Sequence, residues 1–290
     1  MYMQKSVIDY TYIQNTIWKL RETYPMIRIN RIGKSVVGRS IYALELGRPT
    51  APVLLFLGSF LGQDSISGEL LLTWFSRVAH GVMHGGKVNG VVADELISRC
   101  RIVIIPFVNP DGREICQRGA HCAGCDSGKI KELSRGDTHH WDANARGVDI
   151  TQNFNFRFAA RQKTQKSKGI FAPCPKGYGG PHPESEPETV AITNYCRTQL
   201  ISQALCLYPG KGRIFWRSVG LDCDNLEKQA NVFSIVTEYE VEAGVGYIVD
   251  SGFRNWFTQT FRKPAFDIMI KPNEKDFLSL QELLTLSCLF

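Results

Sequence analysis

Two uninterrupted apolar runs, VLLFL (53–57) and RIVIIPFV (101–108), constrain this chain more than any other feature. A run with no polar alternation belongs in a strand covered on both faces, which is how strands of a parallel sheet are placed. Between the two runs lie a helical pattern after Gly68, with Leu70, Leu71, Trp74 and Phe75 on one face, and a shorter one at 93–98. Strand, helix and strand in alternation predict an α/β fold with a parallel or mixed sheet. Upstream, Tyr10, Ile13, Ile17 and Leu20 recur at helical spacing, predicting a helix over 9–22 that ends near Pro25, and 41–46 reads as another strand. Downstream, 204–208 and 264–270 read as core strands, and helices are expected near 225–236, 254–261 and 278–289.

The chain has 290 residues and is 43% apolar, enough for one large core, and no repeat or linker divides it. A single domain over 1–290 follows. Three local readings complete the organisation. Asn109-Pro110-Asp111-Gly112 reads as a type I turn. Residues 113–141 read as a long, polar, Cys- and His-containing surface insertion. Ser185-Glu186-Pro187-Glu188 reads as a capping box opening a helix through Thr198.

Net charge is +6, but the basic residues are scattered among acids, and 161–168 (RQKTQKSK) reads as a solvated loop. Without a basic stripe and interleaved aromatics, nucleic acid is not an expected partner. No signal-like or membrane-length apolar run occurs, so a cytoplasmic protein with no membrane partner is expected. The nine cysteines, an odd number with several inside apolar runs, are expected to be free thiols in a reducing compartment.

The landmarks IGKSVVGRSIYALELG (32–47), VLLFLGS (53–59), VIIPFVNPDGRE (103–114), WDANARGVDITQNFNF (141–156), YGGPHPESEPET (178–189), GRIFW (212–216) and NWFTQTFRKPAF (255–266) occur in the order of one known family. In these motifs the chain resembles the zinc carboxypeptidases of the carboxypeptidase A type, most of all their bacterial branch acting on γ-D-glutamyl–diamino acid bonds of peptidoglycan stem peptides. The resemblance implies one α/β domain with a twisted, eight-stranded mixed sheet flanked by helices.

It also implies where a zinc site would stand. The family's His-x-x-Glu ligand pair follows the second core strand, and the matching residues are Leu61 and Asp64. Its third ligand, a His, falls on Tyr208 or Pro209, and the last histidine of the chain is His182. The general base falls on Met269, and the Asn-Arg pair that holds the substrate carboxylate falls on Thr151 and Gln152. Tyr247 matches, by spacing alone, the tyrosine that closes over substrate. A leucine cannot ligate zinc, and a methionine cannot accept a proton. The expected function is therefore a catalytically degenerate carboxypeptidase-like protein without cofactor. Its cleft, lined by Leu61, Asp64, Thr151, Gln152, Tyr208, Pro209, Tyr247 and Met269, would bind a peptide or stem-peptide fragment or act as a scaffold.

The alternative is a zinc-dependent carboxypeptidase or endopeptidase on stem peptides, working through an unrecognised site. Cys116, Cys122, Cys125 and His139 have zinc-ligand chemistry, which leaves a structural zinc in the insertion as a lesser expectation. Cys174 could join them only if two loops meet. Glu186 and Glu188 are explained as capping groups, Asp149 as a structural acceptor, and His182 as a surface histidine in a Pro-rich turn.

Overall fold

The computed structural model describes residues 8–217, 224–243, 252–271 and 274–290. Its first helix, α1 (Tyr10–Thr23), starts where Asp9 accepts the Tyr12 N–H at 2.8 Å and buries Ile13, Ile17 and Leu20. The strands are β1 (Arg28–Lys34), β2 (Ser40–Leu46), β3 (Val53–Leu57), the short hairpin β4 (Lys87–Val88) and β5 (Val91–Val92), and β6 (Arg101–Ile105). They continue with β7 (Ile201–Pro209), β8 (Arg213–Phe215), β9 (Glu240–Glu242) and β10 (Ala265–Ile270). Eight of them form one mixed sheet in the order β1-β2-β6-β3-β7-β10-β8-β9.

The two apolar runs become β3 and β6, paired in parallel, and β7 lies parallel to β3 on its other side. All five residues of β3 are buried. One face of the sheet carries Leu54, Phe56, Ile102, Ile104, Leu205, Leu207 and Ile268. It is covered by α1, α2 (Ile66–His84), α3 (Ala93–Arg99), α8 (Asp224–Thr237) and α10 (Glu274–Ser287). The opposite face carries Leu55, Leu57, Val103, Ile105, Cys206 and Tyr208. It packs under α7 (Pro187–Thr198), α9 (Phe253–Phe261) and the 150–156 segment. Period-2 alternation on two apolar faces is why these strands look continuously hydrophobic in sequence.

The structure corrects several expectations. The second run leaves strand geometry at Ile105, and Asn109 is the N-cap of α4 (Pro110–Arg118), not the first residue of a turn. Its Oδ1 accepts the Gly112 N–H at 2.8 Å and Pro110 occupies the first turn, where a missing N–H costs nothing. The segment expected as a polar insertion is folded. After α4 come a 3-10 stretch at Ala120–Asp126 and α5 (Ser127–Leu133). Ile115, Cys116, Ala123, Ile130, Trp141, Ala143 and Ala145 make a third small core there. Residues expected as a solvated loop form α6 (Phe158–Ser167), where Arg161 is buried and donates to the carbonyls of Gln152 and Phe156. The capping box is absent: Glu186 is the N-cap of α7, and the Ser185 hydroxyl turns to Glu186 and Asn153.

Candidate functional site

β3, β6, β7 and β10 run parallel, so their carboxyl ends share one edge of the sheet. The chain leaves β3 for β6 on one side and returns to β7 on the other. Such a reversal marks the usual ligand position of an open α/β sheet. Met269 and Tyr208 are register partners there, and Met269 packs beside Gly210, where an added Cβ would stand 2.6 Å from its own. Both belong to the face that contains Phe60, Phe154 and Trp256. The Phe60 ring lies 5.1 Å from Tyr208 and 6.4 Å from Phe154, so aromatic rings pack together beneath this edge.

The loop after β3 is tied down rather than open. Val108 donates to Gly58 O and Asn109 to Ser59 O, while the Asn109 amide donates to the carbonyls of Phe60 and Asp142, each at 3.1 Å. At Gly58 a Cβ would approach Ser67 Oγ to 2.9 Å, so glycine lets the amino end of α2 close on the strand. Leu61 is 5% exposed and Asp64 2%. The Asp64 carboxylate accepts the Ser67 N–H at 3.1 Å and the Ser67 hydroxyl, and Ser67 Oγ in turn accepts the Ser59 N–H at 2.7 Å. Burial pushes Asp64 up to about 6, against the pull of these hydrogen bonds and of the Arg113 guanidinium. Burial raises the Tyr208 phenol far above its ordinary range.

A sequence profile of the zinc carboxypeptidases matches residues 13–234. This chain belongs to the zinc carboxypeptidase family. It is 24% identical over 263 residues to the γ-D-glutamyl-L-diamino acid endopeptidase 1 of Lysinibacillus sphaericus, covering 90% of this chain and 64% of that protein. It is 26% identical over 274 residues to YqgT of Bacillus subtilis (strain 168), described as uncharacterized, covering 91% of this chain and 70% of that one. Among solved structures, bovine thrombin-activatable fibrinolysis inhibitor in complex with tick carboxypeptidase inhibitor superposes with a TM-score of 0.74 at 17% identity. The match covers 98% of this chain and 96% of that one. The murein-tripeptide amidase MpaA from Escherichia coli O157 gives 0.55 at 18% identity, covering 90% of each chain. These likenesses establish the carboxypeptidase fold.

Thr151 and Gln152, expected to match the pair that holds the substrate carboxylate, are fully buried. The Thr151 hydroxyl donates to Asp149 Oδ1 at 2.6 Å, and Gln152 Nε2 donates to Thr151 Oγ1 at 3.1 Å. Asp149 acts as the structural acceptor expected of it, taking the N–H groups of Thr151 and Gly177 at 3.0 Å each. Tyr247 lies outside the described residues. Pro209 ends β7 beside Tyr208.

The structure does not bring Cys116, Cys122, Cys125 and His139 together as ligands. Among the described residues no group of three or more His, Cys, Asp or Glu could hold a metal ion. Cys116 Sγ donates to the His139 carbonyl at 3.3 Å, leaving the imidazole out of the contact. Cys174 meets the 141–149 segment through its backbone, donating to Gly147 O at 3.1 Å. Every described cysteine is a free thiol, and no described helix is long and apolar enough to cross a membrane.

One cluster was not foreseen. Glu188, read from sequence as a capping group, is fully buried and accepts the Val36 N–H at 3.1 Å and the Asn144 amide at 3.2 Å. Asn144 also donates to Glu186 at 2.7 Å, and Asp111 nearby takes Ser35, Val37 and Arg39. Burial, reinforced by the Asp111 charge, pushes Glu188 up to about 8. The signal was present only as acids inside matching motifs; their partners stand 42 to 152 residues away in sequence.

Proposed function

We propose that this zinc-carboxypeptidase homologue is not a peptidase, and that its cleft serves as a binding or scaffolding surface for a peptide of the stem-peptide class. The observation that carries the reading is the state of Asp64. It is the only carboxylate at the expected ligand positions, and its oxygens are engaged by Ser67 at the start of α2. The other expected positions offer Leu61, an apolar side chain, and Tyr208, a buried neutral phenol against Phe60. That donor set does not fit zinc, which takes several nitrogen, sulfur or oxygen ligands at once. Met269 stands where the family's base is expected, and a thioether cannot take a proton from water.

The edge keeps a fixed loop and a half-buried Met269 over a buried aromatic cluster. A stem-peptide ligand is favoured by similarity to the L. sphaericus endopeptidase, whose name specifies γ-D-glutamyl-L-diamino acid bonds. This chain spans 64% of that protein's length.

The test is a chelator-free preparation analysed for bound zinc, then incubated with a γ-D-glutamyl–diamino acid tripeptide. Expected are no retained zinc, no cleavage, and saturable tripeptide binding by calorimetry. Cleavage abolished by chelator would overturn the reading in favour of a metallopeptidase. Neither cleavage nor binding would remove the stem peptide as ligand.

A further inference from the structure

At the amino-terminal edge of the sheet, opposite the cleft, Cys100 and Cys288 meet from distant parts of the chain. Cys100 closes α3 just before β6, and Cys288 follows α10. The two side chains belong to one core cluster, and each thiol donates to a carbonyl one turn back in its own helix, Leu96 O and Leu284 O, at 3.5 Å. Both line one cleft of about 290 Å³ whose walls include Pro52, Ser202, Gln203 and Phe290. Cys100 is 7% exposed and Cys288 4%, whereas Cys196 and Cys206 on the other face are sealed.

We propose that Cys100 and Cys288 form a redox-modifiable pair, closed to a disulfide by exchange with a small dissolved disulfide. The Cys100 thiolate attacks one sulfur of the small disulfide, forming a mixed disulfide and releasing one small thiolate, which takes up a proton. Cys288 then loses its proton and attacks the Cys100 sulfur, expelling the second small thiolate. Two protein thiols are oxidised and one small disulfide is reduced to two thiols, so electrons and protons balance. The order follows from the environment. Cys100 is the more exposed of the two, and the neighbouring Cys288 thiol holds it below its usual range while burial pushes Cys288 up, so Cys100 attacks first. The bond would fasten α10 to the strand edge and restrict the unfolded chain across a very long loop.

The experiment uses the full chain, folded, with excess oxidised glutathione, followed by peptide mapping without reduction. Expected is a Cys100–Cys288 crosslinked peptide, with a Tm raised by roughly 5–10 °C and restored by dithiothreitol. A map in which the exposed Cys125 carries glutathione while no Cys100–Cys288 link forms would overturn the pair. In the Cys288→Ala variant, Cys100 should stop at a stable glutathione mixed disulfide. A folded Cys288→Ala protein with Cys100 unmodified would overturn the order of attack.

Discussion

The Asp64 carboxylate closes on Ser67, three residues later: Oδ1 accepts the Ser67 N–H at 3.1 Å and Oδ2 the Ser67 hydroxyl. The same hydroxyl holds the Ser59 N–H, so one buried serine links the end of β3, the loop and the start of α2. An Asp at this place therefore works as a local cap, and its shorter side chain suits that inward reach.

Removing Ser67 should cost stability and shift a titration. Ser67→Ala deprives Asp64 Oδ2 and the buried Ser59 N–H of their partner, a loss of about 1–3 kcal/mol. Asp64 is raised to about 6 from 3.8, so its contribution is fully present below 3.8 and is lost as pH rises through 6. In Ser67→Ala the anion loses its hydroxyl donor but keeps the backbone N–H of residue 67, and that loss of stability should extend to higher pH. Urea unfolding between pH 4 and pH 8 checks both effects.

Metal affinity should return only when the donors are rebuilt together. Asp64→Glu or Leu61→His alone leaves too few ligands and should bind zinc no better than the parent chain. Leu61→His, Asp64→Glu and Tyr208→His combined should bind more tightly by at least on the order of 100-fold. Competition with a zinc dye measures it. A single variant that reached the same affinity would place the site elsewhere.

Glu188 predicts a second pH dependence, distinct in window from that of Asp64. Its carboxyl is raised to about 8 from 4.5, so stability is greatest below 4.5 and falls as pH rises through 8. The slope approaches about 1.4 kcal/mol per pH unit for a full proton. Glu188→Gln removes that proton exchange, and its unfolding free energy should be flatter between pH 6 and pH 8. An unchanged slope in the variant would mean that Glu188 is ionised in the folded protein.

Arg254 on α9 and Asp267 on β10 form an ion pair at 2.8 Å with both side chains 2% exposed. Removing one partner leaves a buried charge, so Asp267→Ala should destabilise by about 3–5 kcal/mol. Asp267→Asn, which keeps an acceptor, should cost less. Thermal or urea denaturation of the two variants decides the order.

The α/β class, the strands at 53–57, 204–208 and 264–270 and the family itself were legible because apolar runs and ordered motifs are local properties of sequence. β1 escaped notice, since its RINRIGK composition is polar and only pairing with β2 makes it a strand. The 109–112 reading failed because a Pro-Asp-Gly sequence suits a turn as well as a helix start. Only the chain beyond it, packing Ile115 and Cys116 against Trp141, favours the helix.

What sequence alone determined at the candidate site was chemical identity: leucine, aspartate, tyrosine and methionine at the positions where the resemblance would place ligands and a base. Tertiary structure decided what those side chains do. Asp64 turns to Ser67, Tyr208 packs on Phe60, and Glu188 is buried beside Asp111. It also brought Cys100 to Cys288. The reason is physical: residue type fixes which bonds a side chain can make, while burial and long-range partners fix which it makes and in which protonation state.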